Sequence, residues 1–451
     1  MLSMNRLSAL VAPETIRTGS ALLIGLTVAP LVGVLAATQP VLLLLLLSVA
    51  VWVFLVLRSD SSALFVLGAA APLLYLIDMR SALFSQAILA LYGVAFIHAA
   101  HQIVHQPEAK RWDWRLAILV IAWGVIVVLA ERELFSEGLS LRRFIVATIG
   151  MLPYLWFGMA APRITGKQAH VLLAGITTGA IITAAAFLLN SRTLTEGLQG
   201  RDAWIDTYTI IGSLKNSLGL LWVIGWILLI GWRTRGGWAI KAPLLAVVLA
   251  AILFSFSRSS YMALIAATLL LYRGRSSALW LAIGAIGAFV LFGLPEAVWA
   301  RLEMTWSPIR GFDPSAEARI ELWIAAINAF LSAPLTGIGW GKFSDYLVRT
   351  GQAPAAAGQA VYDLAYAHNY ILSAFAMLGF GGGVLSVSVF LAAWQRTRAL
   401  IARQVHLARL VQAAVLAVVI ASLFGEPLFD PVLSFVFVLI LACLVRQESE
   451  Q

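Results

Sequence analysis

The sequence is short of charge. Asp, Glu, Lys and Arg make up 12% of its 451 residues, while 61% are hydrophobic. A soluble domain carries about 25% charged residues. No globular core of this length hides so much apolar surface, so a water-soluble fold is excluded and lipid is the expected solvent. Cysteine is nearly absent: Cys443 stands alone. No intrachain disulfide and no thiolate metal site can form, and Cys443 reads as a small apolar residue of the last apolar run. Also missing are a Walker motif, a GxGxxG fingerprint, an HExxH pair and a nucleophile elbow, so ATP- or NAD-driven chemistry has no support. The formal charge of +9 is not organised for nucleic acid. Lys and Arg gather in short segments between apolar runs, with no basic stripe interleaved with aromatics.

What is present is a series of apolar runs, near 20–37, 41–57, 63–77, 82–100, 115–130, 144–161, 170–189, 209–232, 240–256, 259–272, 277–293, 369–394, 407–423 and 430–445. They lack the alternation of barrel strands, and several fall short of a full span, the pair around Ser257–Ser260 being the weakest. The expected fold is therefore all-α: a polytopic transmembrane helical bundle of 12–14 helices. The basic segment Met1 to Arg17 has no small-residue cleavage site, so the first run is expected to be retained. Sixteen Trp and ten Tyr suit an interfacial belt.

Arg58, Lys110, Arg111, Arg115, Arg163, Lys167, Arg233, Arg235, Lys241, Arg273, Arg275, Arg396, Arg398, Arg403 and Arg409 mark one set of alternate loops as cytoplasmic. Arg142 and Arg143 run against this scheme. The opposite face holds two polar segments, one from Asn190 to about Thr207 and one from Pro295 to about Ala367. The second divides the chain into 1–294 (N-terminal transmembrane helices), 295–367 (long periplasmic loop) and 368–451 (C-terminal transmembrane helices). Within it, Ile320, Trp323, Ile324, Ile327, Phe330 and Leu331 fall at helical spacing, with Arg319, Glu321 and Asn328 off that face. The spacing predicts an amphipathic helix on the membrane or docked over the bundle, ended by Ser332-Ala333-Pro334. Gly337-Ile338-Gly339-Trp340-Gly341 follows as a turn whose N–H groups are available to a ligand.

His368-Asn369-Tyr370 opens the next apolar run at its external end. A histidine there can take a proton from a sugar hydroxyl, or it can anchor a helix end with Tyr370. Arg201, Arg258 and Arg319 fall on or near the same face. Arg258 interrupts an apolar hairpin, and an arginine at membrane depth either clamps a phosphate bidentately or snorkels to the headgroups. Lys215-Asn216 extends such a cationic pocket or marks a helix end. His98, His101 and His105 share a helical face, but no carboxylate lies among them in sequence and basic residues follow, so a cationic helix end is preferred to a metal site.

Taken in order, Ser257-Arg258, Arg319-Ile320-Glu321-Leu322-Trp323, Pro334 to Gly341, His368-Asn369 and Leu378-Gly379-Phe380-Gly381-Gly382 resemble the O-antigen ligase/polymerase superfamily, best between about Ser255 and Gly383. The resemblance implies a glycosyltransferase of the bacterial inner membrane, working on its periplasmic side without metal, nucleotide or other cofactor. The implied donor is an undecaprenyl-pyrophosphate-linked glycan and the acceptor, for a ligase, the lipid A–core. Membrane lipids are the surroundings and nucleic acid is not a partner. The family's catalytic histidine falls on His368 and its essential arginines on Arg201 and Arg319. Arg258, Lys215, Asn216, Asn369 and Tyr370 are the expected substrate-binding residues. The family's Pro-Asn after the first arginine appears here only as Lys215-Asn216. A polymerase or a protein O-oligosaccharyltransferase of the same superfamily is the alternative, and a lipid-linked glycan transporter the alternative of another class.

Overall fold

A long apolar run satisfies its backbone in lipid only by turning helical, and the runs among the described residues do so. The computed structural model describes residues 59–77, 82–105, 114–129, 152–189, 215–231, 237–255, 257–273, 306–307, 311–312, 314–354, 366–403 and 406–444. All of them fall in one compact unit, Leu55–Gln451. The runs expected at 20–37, 41–57 and 277–293, and the segment with Arg201, lie outside these residues.

The described helices are α1 (Asp60–Leu73), α2 (Ala82–His105), α3 (Trp114–Leu129), α4 (Leu152–Ala160), α5 (Gly166–Leu189), α6 (Lys215–Gly231), α7 (Gly237–Phe254), α8 (Arg258–Tyr272), α9 (Pro314–Ser332), α10 (Phe343–Thr350), α11 (Tyr370–Ala402), α12 (His406–Ser422) and α13 (Pro431–Ala442). Trp306–Ser307 and Gly311–Phe312 form a two-residue antiparallel pair, β1 and β2. The protein is an all-α polytopic bundle, as expected. Among the described residues, Leu83–His105, Gly166–Leu189, Gly237–Phe254 and Tyr370–Ala402 are long and apolar enough to cross a membrane, and five shorter apolar helices accompany them.

Small residues let the helices approach one another. In α5, Gly175 and Gly179 stand one turn apart against α1, where a β-carbon on Gly179 would lie 2.6 Å from the Ala69 carbonyl oxygen. In a bilayer, where burial from water drives little association, such close backbone contact supplies the packing energy. The weak hairpin foreseen at Ser257–Ser260 is a true break: α7 ends at Phe254 and α8 starts at Arg258, capped by Ser257.

Helix α9 ends at Ser332 as the sequence predicts, but its buried face differs from the expected one. Leu322, Ala325, Ala326 and Ala329 are buried, whereas Ile324 and Leu331 are 55% and 66% exposed, with Ile320 and Ile327 beside them. The small face packs on α11 because alanines permit close approach, and the large side chains form an outward ridge. Of the larger set, Phe330 reaches back edge-on to Phe375, and Trp323 reaches Phe424.

The glycine turn after α9 also departs from expectation. Three of its N–H groups are engaged within the protein: Gly337 donates to the Ala333 carbonyl at 2.8 Å, and Ile338 and Gly339 to the Ala376 and Met377 carbonyls at 2.9 and 3.1 Å, while Phe380 N–H donates to the Pro334 carbonyl at 2.7 Å. These bonds enter α11 where Gly379 breaks it with φ 67°. The turn and the kink are two halves of one joint.

Candidate functional site

The site is built where α11 begins. Asn369 caps that helix, its Oδ1 accepting the Leu372 N–H at 3.0 Å. One residue earlier, His368 has φ 54°, the one non-glycine residue among those described in the left-handed region. For an L-residue this costs on the order of 1 kcal/mol, so the surroundings must hold it. They do so through Glu426, from the turn between α12 and α13. Glu426 Oε1 accepts the Asn369 N–H at 2.9 Å and the Ser373 hydroxyl at 3.1 Å, and the backbone of His368 also hydrogen-bonds to the same carboxyl. The Tyr370 N–H donates to the Gly425 carbonyl at 3.0 Å, and the Asn369 side-chain amide to the Leu423 carbonyl at 3.2 Å. The two turns are laced together.

Side chains continue what the backbone begins. His368 Nδ1 lies 3.8 Å from Glu426 Oε2, with the imidazole 42% exposed and the carboxyl 8%. Burial pushes the Glu426 carboxyl up to about 7, against the hydrogen bonds from Ser373 and Asn369 and the nearby Arg319 cation, which pull it down. Partial burial, and then the Arg319 cation, lower the imidazole to about 4. At neutral pH His368 is an uncharged base resting on a carboxyl poised to titrate. Arg319 of α9 thus stands within electrostatic reach of both groups, so the structure brings two of the expected catalytic residues together.

Aromatic packing fixes this geometry. From the α12–α13 turn, Phe429 meets Trp340 at 4.4 Å, Tyr370 at 4.8 Å and Tyr366 at 5.4 Å between ring centroids, and Phe424 meets Trp323 of α9. The polar segment between α8 and α11 therefore grips the turn that carries Glu426. Tyr370 is fully buried, its ring also against Phe390. It packs beneath the site and presents no group at its surface. Asn369 acts through its cap.

A second polar stratum adjoins. Ser257 Oγ donates to Asn216 Oδ1 at 2.9 Å and accepts from Ser260 Oγ at 2.8 Å, tying α6 to the start of α8. A β-carbon on Gly425 would lie 4.0 Å from Asn216 Nδ2, so this knot borders the Glu426 turn. Arg258, half-buried, is the first residue of α8. Lys215 opens α6, and its side chain lies outside the described set. Next to Asn216, Ser217 bonds to Asp430, which accepts from Tyr75 and from the Val432 and Leu433 N–H groups as the cap of α13.

The histidine trio lies at the opposite end of the bundle and is divided. His98 is buried and accepts from Trp156 Nε1 at 3.3 Å. His101 approaches Asp60 Oδ1 at 3.8 Å, a carboxylate that sequence spacing had hidden, and His105 meets the His101 carbonyl. Among the described residues no three metal-ligating groups converge.

Sequence reasoning missed Glu426 and its partner Ser373. The available signal was slight: a carboxylate in Gly425-Glu426-Pro427, in the short turn between the last two apolar runs. No curated protein matches the chain. Residues 243–387, about a third of the chain, match the family described as O-antigen ligase, a stretch that contains Arg258, Arg319 and His368. The family is one of glycosyltransferase-like enzymes, and the match supports, over this stretch, the likeness to the O-antigen ligase/polymerase superfamily.

Proposed function

We propose that this protein is an O-antigen ligase. It would transfer a glycan from undecaprenyl pyrophosphate to the lipid A–core at the periplasmic face of the inner membrane. The observation that carries this reading is the convergence of a neutral His368, the Arg319 cation and the buried Glu426 at one end of a membrane bundle. The orientation follows from charge. Arg163, Lys167, Arg273, Arg396, Arg398, Arg403 and Arg409 fall at helix ends remote from His368, and the positive-inside rule puts that end in the cytoplasm.

In the proposed step the acceptor hydroxyl oxygen bonds to the anomeric carbon of the donor while the carbon–oxygen bond to pyrophosphate breaks. The electron pair leaves with the lipid pyrophosphate, and the hydroxyl proton passes to His368. Arg319, with Arg258 and Arg201, holds the pyrophosphate and stabilises its growing charge. A single displacement inverts the anomeric centre. Helix α9 places Arg319 beside the outward ridge of Ile320, Ile324, Ile327 and Leu331, which offers the polyprenyl tail an apolar path from the bilayer.

The test uses purified protein, a lipid-linked O-antigen donor and a lipid A–core acceptor, with wild type beside His368→Ala. Capped lipopolysaccharide from wild type and none from the variant is the expected result. A lengthened lipid-linked glycan instead makes the protein a polymerase, and no product of either kind reopens the transporter reading.

A further inference from the structure

The geometry points to Glu426 as the positioning residue for His368: it locks the histidine's left-handed turn through the backbone and pairs with the imidazolium that forms as the acceptor hydroxyl is deprotonated. This inference rests on the glycan-transfer reading above.

Three observations meet here. First, His368 takes φ 54°, and the N–H groups on either side of its carbonyl, its own and that of Asn369, both turn toward the Glu426 carboxyl. One acceptor thereby sets the conformation of the residue that carries the base. Second, the two carboxyl oxygens divide the work. Oε1 is occupied by Asn369 N–H and Ser373 Oγ, while Oε2 faces His368 Nδ1 at 3.8 Å. That separation is too long for a hydrogen bond and within the range of an ion pair. The hydroxyl proton is assigned to the ring's other nitrogen, Nε2. Third, the carboxyl is buried beneath a half-exposed ring, so the imidazolium would meet a charge that water does not screen.

The step balances. The acceptor oxygen bonds to the anomeric carbon, the leaving pyrophosphate takes the bonding pair, and Nε2 takes the proton. The imidazolium is neutralised by Glu426 until it gives the proton to water. Besides His368, the charged group facing Glu426 among the described residues is Arg319 from α9; Asp430, four residues on, is engaged by Tyr75 and Ser217. Since only the ionised carboxylate can pair with the imidazolium, activity should fall as pH drops through the ionisation of Glu426.

The experiment measures the pH–rate profile of glycan transfer for wild type, Glu426→Gln and Ser373→Ala. Gln keeps an oxygen for the Asn369 N–H and loses the charge. Its kcat is expected to drop at least 30-fold with KM for the donor unchanged within about twofold, and the acid limb of the profile to vanish. Ser373→Ala keeps the charge and removes one bond that favours it, so its acid limb is expected to move to higher pH. If the Gln variant does not accumulate as folded protein, this shift alone decides. Wild-type kcat in folded Glu426→Gln, or an unmoved limb in Ser373→Ala, overturns the assignment while the glycan-transfer reading stands. Failure of wild type itself to transfer glycan, by contrast, overturns that reading.

Discussion

His368 and Glu426 come from turns 58 residues apart, and their side chains nevertheless stand 3.8 Å from each other, an exposed ring over a buried carboxyl. The pairing joins the start of α11 to the turn between α12 and α13. It makes the last two helices part of the site and not merely its membrane anchor.

Burial of Glu426 has a cost that can be measured. In the folded protein the carboxyl holds its proton up to about 7, whereas in the unfolded chain it ionises near 4.5. Between those values the folded state binds the extra proton, so stability falls as pH rises and is lowest above 7. The difference amounts to at most about 3 kcal/mol. Glu426→Gln removes it. The variant is expected to melt higher than wild type at pH 8 and to lose that advantage toward pH 5, by thermal unfolding in detergent. A variant less stable than wild type at pH 8 would show that the charge is compensated in the fold.

Much of this was legible in the sequence, and the reasons are physical. Apolar runs can only be helices in lipid, so α2, α5, α7 and α11 were readable from length alone, and Ser257 signalled a break because its hydroxyl caps α8. Helix α9 shows the limit. Large apolar residues at helical spacing mark a face, but Ala325, Ala326 and Ala329 mark another, and periodicity cannot say which one meets protein when lipid is also a partner. Glu426 was hidden for a different reason. A contact between two turns leaves no trace in either local pattern, only a single acidic residue in a short turn at the same end of the bundle as His368.

Arg319 acts on both partners of the pair, since its cation lowers the imidazole and the carboxyl alike. Arg319→Ala is expected to reduce transfer at least 100-fold, about 2.7 kcal/mol of lost stabilisation of the leaving charge. Membrane insertion should be unaffected. Any residual activity should show its acid limb shifted to higher pH. Wild-type turnover in this variant would remove Arg319 from the mechanism.

The left-handed backbone at His368 gives a contrast between two variants. Glycine adopts φ 54° without a β-carbon penalty and alanine does not. His368→Gly is therefore expected to be more stable than His368→Ala by up to about 1 kcal/mol. Thermal melts of the two, at equal detergent and pH, read the difference. Equal stability would mean that the turn relaxes once the imidazole is gone.

The joint between the glycine turn and α11 depends on Gly379. Its φ is 67°, and a β-carbon there would overlap the Leu335 carbonyl group. Gly379→Ala should cost at least about 2 kcal/mol, from left-handed strain and the clash together. Because the joint holds the segment bearing Arg319 against the bundle, the variant is also expected to raise KM for the lipid-linked donor. Unchanged stability and KM would show that the turn tolerates displacement.

The outward ridge of α9 supports a last prediction. Ile324 and Ile327 are about half exposed on the helix that carries Arg319, while the alanines opposite make the contact with the bundle. Exchanging Ile324 and Ile327 for asparagine should therefore leave the packed face intact and change only what the ridge touches. If the ridge receives the donor's prenyl chain, KM rises severalfold for the undecaprenyl donor and stays near the wild-type value for a short-prenyl analogue, which never reaches that surface. An equal rise for both donors would instead tie the ridge to the positioning of α9. No change for either would leave the path of the tail to the flanks of α11, where Phe380, Val384 and Leu391 are exposed.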